Sequence, residues 1–289
     1  MKKPAFRSLG ALLLVLVSVP SLATTQLYGV GTVNDQLVTI DRATGALTFV
    51  GPISRNIVTG LARDPSSNRL FSYQPSSRQL LAVDIETGAA TNAGEVVWPT
   101  SGVAISGLAF DPASQMLFGS DPDGRRLFRI NPETGAAELI GDTGLPVAAI
   151  AFDGSGALYG IDTTNLGNNR LVLVDPETGA TTDIGATGFG LLQGLAFDTA
   201  DDTLYAVSSL VTARLVTVST TTGAGTLVGS LFPDSTGSAF ITGLEAVPPA
   251  EATSKAVPMN AASQLVLGVL ILSTVWRVAC VARRARATE

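Results

Sequence analysis

The chain has 289 residues, 46% of them hydrophobic, and a formal net charge of −6, with no histidine and one cysteine. The acidity is concentrated inside: residues 24–247 hold ten basic and 22 acidic side chains, net −12, a body that repels phosphate backbones and excludes nucleic acid as a partner. Without histidine the chain lacks the usual proton shuttle near neutral pH, the commonest transition-metal ligand and any Ser/His or Cys/His nucleophile pair. Cys280 alone forms no intrachain disulfide, and the composition calls for no cofactor and no metal.

In chain order, the N-terminus comes first. Lys2, Lys3 and Arg7 precede an apolar run from Ala11 to Val17, with Val19 close behind. Pro20-Ser21-Leu22-Ala23 then places small residues at the two positions that define a cleavage site. This order predicts a secretory signal peptide over residues 1–23. The run is too short to cross a hydrocarbon core, which takes about 20 residues.

Residues 24–247 are periodic. Gly60-Leu-Ala-Arg-Asp64 recurs as Gly107-Leu-Ala-Phe-Asp111, Ala149-Ile-Ala-Phe-Asp153 and Gly194-Leu-Ala-Phe-Asp198, with a shortened copy at Gly243-Leu244-Glu245-Ala246-Val247. A second motif follows each aspartate: Leu70-Phe-Ser, Leu117-Phe-Gly, Leu158-Tyr-Gly and Leu204-Tyr-Ala, with Leu27-Tyr-Gly opening the series. A third is the turn Asp41-Arg-Ala-Thr-Gly45, repeated at Asp84, Asn131, Asp175 and Ser219. The turn glycines are 43, 47, 44 and 44 residues apart, a period that denotes a solenoid, propeller or array.

Each unit reads as four short strands: the Gly-Leu-Ala-Phe strand, the strand starting at Leu-Tyr-Gly, an alternating strand such as Leu171–Val174 or Leu127–Ile130, and a strand after the turn such as Ala136–Ile140. In the turn, Asp or Asn caps its own backbone, Pro presets φ and Gly takes the left-handed position. Nothing between the units has helical periodicity. Four-stranded units around an axis are propeller blades. The series opens on a second strand and ends on a first, so Thr242–Val247 supplies the missing inner strand of the blade begun at Leu27, pairing two edges that would otherwise be exposed. The expected fold is an all-β, five-bladed propeller, its ring closed by this C-terminal inner strand.

After a linker and motif over residues 248–264 comes an apolar segment, Leu265 to Ala282, within a tail of residues 265–289. Val257 and Pro258 stand in the linker, and Arg283, Arg284 and Arg286 follow the apolar segment. As a membrane anchor the segment has its arginines on the inside face, which puts the propeller outside. Arg277 lies within it, where a charge costs about 2.5–3.5 kcal/mol at mid-membrane. Membrane contact is expected through this segment alone.

These two sets of motifs carry family resemblances. Short motif, apolar segment and basic cluster, in that order, resemble the exosortase-type C-terminal sorting signals of the PEP-CTERM and IPTL-CTERM class, although Met259-Asn260-Ala261 departs from both usual motifs. That resemblance implies cleavage of the tail, contact with export and sorting machinery, and delivery to the surface or matrix. The Leu-Tyr-Gly and Asp-Pro-x-Thr-Gly-Ala units resemble bacterial secreted propellers in the style of the DUF4394 domain over residues 26–247. They imply architecture and no transferable activity.

Chemistry is sparse. Asp64, Asp111, Asp153 and Asp198 each sit where a strand enters a turn, the place where Asp bonds its own backbone, so they read as caps rather than a metal or catalytic ring. Tyr28, Phe71, Phe118, Tyr159 and Tyr205 recur at one blade position and read as packing between blades. Asp121-Pro-Asp123-Gly124 lacks EF-hand ligand spacing and reads as a turn. A glycosidase needs two carboxylates facing each other. The inner strands offer only Glu245.

A binding surface is therefore expected on loops at one face. The loops from outer strand to next inner strand contain Trp98, Phe189 and Phe232. Those from second to third strand contain Asp123, Arg125, Asn165 and Arg170. Aromatics beside Asn, Asp and Arg suit polysaccharide or envelope proteins, unless the aromatics tuck onto blade edges. The expected role is an exported, non-catalytic binding module. The alternatives are a secreted carbohydrate-active hydrolase or lyase and a purely structural envelope protein.

Overall fold

In the computed structural model, residues 24–31, 35–208, 213–232 and 240–249 are described. The signal peptide, Val257, Pro258, Arg283, Arg284, Arg286 and the apolar tail segment lie outside them. Among the described residues no helix is long and apolar enough to cross a membrane.

Strands β1 (Gln26–Gly31), β2 (Gln36–Ile40) and β3 (Leu47–Pro52) begin the first blade. The second is β4 (Thr59–Asp64), β5 (Arg69–Gln74), β6 (Gln79–Val83) and β7 (Ala90–Glu95). The third is β8 (Gly107–Asp111), β9 (Met116–Asp121), β10 (Arg126–Ile130) and β11 (Ala137–Asp142). β12 (Val147–Phe152), β13 (Leu158–Asp162), β14 (Arg170–Val174) and β15 (Thr181–Ala186) form the fourth, and β16 (Leu192–Asp198), β17 (Thr203–Ser208), β18 (Arg214–Val218) and β19 (Gly225–Ser230) the fifth. β20 (Ile241–Val247) then pairs antiparallel with β1, Leu27 opposite Ala246 and Gly29 opposite Leu244. The result is five four-stranded antiparallel sheets, the first in the order β20-β1-β2-β3. The ring closes as the repeat phase requires: β20 takes the inner position of the first blade and covers the edge that β1 would otherwise expose.

The turn chemistry recurs blade by blade. Asp41 Oδ1 accepts from the backbone of Ala43 (3.0 Å) and Thr44 (2.8 Å) and from the Thr44 hydroxyl. Gly45, at φ 77°, ends the turn in the left-handed region. These bonds, led by the Thr44 and Thr87 hydroxyls, hold the Asp41 and Asp84 carboxyls below their usual range. Every pairing of third and fourth strand carries a register shift at the same place, Leu37/Val38 in the first blade and Leu215/Val216 in the fifth. The bulge turns Val50, Ile140, Ile184 and Val228 of the outer strands onto the core.

The core lies between blades. Ala62, Phe71, Tyr73 and Leu80 of the second blade pack with Leu108, Leu117 and Phe128 of the third. The other clusters repeat this arrangement around the ring, and the last joins the fifth blade to the first through Tyr205, Leu215, Leu27 and Leu244. The recurring aromatics are therefore packing residues, with Phe71 and Phe118 fully buried and Tyr205 nearly so.

Candidate functional site

Two sets of loops share one face, and backbone hydrogen bonds tie them together. After each outer strand the chain donates to the loop between second and third strands: Ile53 N to Asp35 O (2.7 Å), Val96 N to Arg78 O (2.8 Å), Thr143 N to Arg125 O (2.8 Å), Thr187 N to Asn169 O (2.9 Å) and Leu231 N to Ala213 O (2.9 Å). Each loop pair is thus fixed to a rigid sheet, the usual support for a recognition surface.

The seven sequence-selected residues divide on this face. Trp98 is half-buried in the seam between second and third blades, edge-on to Tyr73 (5.7 Å between centroids) and Phe128 (5.0 Å). Its indole N–H donates to the Tyr73 hydroxyl at 3.0 Å. Phe189 packs on the seam core between the fourth and fifth blades, and Phe232 on the one that closes the ring. All three aromatics tuck inward. Arg170 reaches sideways to the outer strand, its Nε 2.6 Å from Asp183 Oδ1, and this contact holds the Asp183 carboxyl below its usual range. Asp123, Arg125 and Asn165 face solvent on the third and fourth blades. Arg125 reaches the Gly144 carbonyl at 3.4 Å, and Asn165 accepts from Gly167 N at 3.1 Å.

Sequence reasoning passed over four exposed apolar side chains on the same loops: Ile57 (62% exposed), Val97 (65%), Leu166 (60%) and Phe240 (50%). Ile57 sits at φ 49°, a left-handed conformation that is a genuine outlier for a β-branched residue and marks stored strain. Its N–H donates to Asp35 Oδ1 at 2.9 Å. Composition gives no signal for which apolar loop residues turn outward.

At the axis, Leu61, Leu108, Ile150, Leu195 and Leu244 close the ring down to about 10 Å³, too little for a water. Toward the turn-bearing end, Arg63, Phe110, Phe152, Phe197 and Glu245 border a cavity of about 40 Å³, room for a water or two. Two departures from the repeat meet here. Glu245 replaces the alanine of Ala62, Ala109, Ala151 and Ala196, and Arg63 replaces the phenylalanine of Phe110, Phe152 and Phe197. Burial pushes the Glu245 carboxyl up to about 8, against the opposing pull of Arg63 and two backbone N–H groups. With one carboxylate at this mouth, a paired-carboxylate hydrolysis is not assembled there.

The repeated aspartates are caps. Asp64 accepts from the backbone and hydroxyl of Ser66 and from the Ser67 hydroxyl. Asp111 holds Ala113 and Ser114, Asp153 holds Ser155 and Ala157, and Asp198 holds Ala200. Asp121 pairs with Arg126 across its turn. Among the described residues no group of three His, Cys, Asp or Glu side chains is placed to hold a metal.

The fold and its loops define a repeat-built five-bladed propeller. Residues 21–170 match the family described as a repeat of unknown function, DUF6923, and the chain belongs to that family. Among solved structures, it is similar to a chain in the crystal structure of a nidogen/laminin complex, with 16% identity, a TM-score of 0.53, and 78% of this chain and 98% of that one covered. It is also similar to a structural genomics protein of unknown function from Bacteroides thetaiotaomicron, with 16% identity, a TM-score of 0.51, and 72% and 56% covered. At that identity the likeness is one of fold. No curated protein matches the chain.

Proposed function

We propose that this chain is an exported, non-catalytic binding module, displayed at the cell surface or in the extracellular matrix, whose loop face meets a polysaccharide or an envelope protein. The observation that carries the reading is the set of exposed apolar residues Ile57, Leu166 and Phe240 on loops that also present Asp123, Arg125 and Asn165. Apolar contacts with polar neighbours, held on a rigid ring, are what a recognition surface needs. The basic–apolar–small order of residues 1–23 supports export. The PEP-CTERM-like order of Val257-Pro258, apolar segment and Arg283, Arg284 and Arg286 supports hand-over to the surface, as does the repeats' likeness to DUF4394-style secreted propellers.

The test has two arms. The protein is recovered from its producing cell, its intact mass and cell fraction are recorded, and its binding to that cell's envelope polysaccharide and envelope proteins is measured. A start near Thr24, an end near Val257 and a surface or medium fraction are expected, with binding weakened about tenfold by Leu166→Ser or Ile57→Ser, the loss of one well-buried contact. Retention of residues 1–23 in a cytoplasmic fraction would overturn export. Binding indifferent to both substitutions would overturn the loop-face assignment. A folded chain that binds neither material would favour the purely structural reading.

A further inference from the structure

The five chain entries to the inner strands form a ring on the loop face. Three residues before the axial column Gly60, Gly107, Ala149, Gly194 and Gly243 stand Ile57, Ala104, Pro146, Leu191 and Phe240, all apolar. Neighbouring entries are tied together: the Thr242 hydroxyl donates to the Val58 carbonyl at 3.0 Å, and the Thr59 hydroxyl to the Ile105 carbonyl at 2.6 Å. One residue further in, Val58, Ile105, Val147, Leu192 and Ile241 are buried. In the ring itself Ile57, Ala104 and Phe240 are exposed, and Pro146 and Leu191 are half-buried. The exposed Leu166 adjoins it, its carbonyl accepting from Leu191 N at 3.1 Å.

Two ring positions are held against their own backbone preference. Ile57 and Leu191 stand at φ 49° and 51°, left-handed values that bulky side chains avoid. Asp35 Oδ1 accepts from Ile57 N, and the Gln74 amide donates to the Asn56 carbonyl at 3.1 Å, so the pose of Ile57 is set before any partner arrives. Strain of this kind persists where the surroundings impose it, and it clusters at binding sites.

The two ends of the propeller differ in charge. Counted over the turns and the strand residues that flank them, the turn-bearing end holds twelve acidic side chains and two basic ones, Arg42 and Arg69. The described residues of the loop end, counted in the same way, hold six of each. An acidic body repels its copies. At the loop end that repulsion is cancelled, and apolar surface is exposed there.

From this we infer that the ring docks a second copy of this chain, loop end to loop end. Such a contact is isologous and closes at two chains. Each apolar ring covers the other, and each end supplies both signs of charge to its partner. The inference rests on the loop-face reading above and narrows its envelope-protein partner to a copy of the chain itself.

Sedimentation of the protein as recovered from its producing cell, over a concentration series, reads the outcome. A reversible equilibrium between one chain and two is expected, undiminished by added salt, which screens the remaining repulsion. Ile57→Asn, alone and with Leu166→Asn, is expected to weaken association about tenfold or more. Asparagine tolerates the left-handed region better than isoleucine, so the Ile57→Asn melting temperature should be no lower than the parent's. Leu139→Ser, on an outer strand, should leave association unchanged. Association indifferent to the loop substitutions, as a contact through the apolar tail would be, overturns the inference. So does association that salt weakens, the behaviour of loop end stacked on acidic end. A chain that stays single while Ile57→Ser still weakens its binding to envelope material overturns the second copy alone. A single chain whose binding ignores that substitution overturns the loop-face reading as well.

Discussion

Gly229 in the outer strand of the fifth blade lies flat against the carbonyl oxygen of Thr44 in the first, leaving no room for a β-carbon. The same contact joins Gly51 to Thr87, Gly141 to Thr178 and Gly185 to Thr222, so four of the five seams share it. The seam between the second and third blades departs. Gly94, at the matching place, has open space around it, and Val97 instead bridges to Ala136. That seam falls within the long 47-residue spacing between Gly88 and Gly135. Gly229→Ala is therefore expected to cost about 1–3 kcal/mol through overpacking, and Gly94→Ala to stay within about 0.5 kcal/mol. Thermal unfolding checks the pair, at roughly 2–4 °C per kcal/mol for a domain of this size. Equal effects would mean the seams are not built on this contact.

Arg42 and Asp198 hold the closing seam from the polar side. Asp198 is buried, caps Ala200 and accepts from the Thr25 hydroxyl at 3.0 Å. Arg42 reaches it from the first blade and also meets Asp201 at 2.9 Å. Asp198→Ala leaves Thr25 and Ala200 short of an acceptor while Arg42 keeps Asp201, so a loss of about 2–3 kcal/mol is expected. Asp201→Ala, at an exposed position, is expected to cost under about 1 kcal/mol. Urea unfolding of both variants measures the difference.

The blades were legible because repeats average over local ambiguity. The turn ending in Thr-Gly announces itself five times, opened by Asp in three copies and by Asn131 and Ser219 in the others, and the phase of Leu27-Tyr-Gly against Gly243-Leu244 dictates which strands close the ring. Glu245 could also be picked out, since aligned repeats expose a carboxylate where four alanines stand. What could not be read were pairings that depend on where one blade's turn lands on its neighbour. Arg42 and Asp198 are 156 residues apart with no shared motif. The fate of Trp98 and the outward turn of Ile57 depend on irregular loops, whose side chains point according to neighbouring sheets rather than to any period in the chain.

Trp98 separates packing from recognition. Its hydrogen bond to Tyr73 and its edge contacts with Tyr73 and Phe128 make it part of a seam. Trp98→Phe keeps most of the ring contact and strands the Tyr73 hydroxyl, so a loss of about 1–2 kcal/mol is expected. Ligand affinity should stay unchanged when measured well below the melting temperature. A variant of normal stability and reduced affinity would return Trp98 to the binding surface.

The axial carboxyl makes stability fall with rising pH. Glu245 titrates at about 8 in the folded protein against an ordinary 4.5, chiefly because of burial, with Arg63 opposing. The folded state thus holds this proton more tightly than the unfolded chain. The group's contribution is fully present below about pH 4.5 and is lost as pH rises through 8, amounting to a few kcal/mol at most. The turn aspartates act at the other end. Asp41, Asp84 and Asp175 titrate below their ordinary value of 3.8, so their contribution is present above that value and is lost as pH falls through the lowered ones. Maximal stability is expected near pH 5, declining toward pH 9. Glu245→Ala, which restores the residue of the other four repeats, removes the alkaline decline and leaves the acid limb intact. Melting temperatures of both proteins from pH 3 to 9 decide the matter: parallel curves above pH 5 would show that Glu245 keeps its charge throughout and that Arg63 compensates it fully.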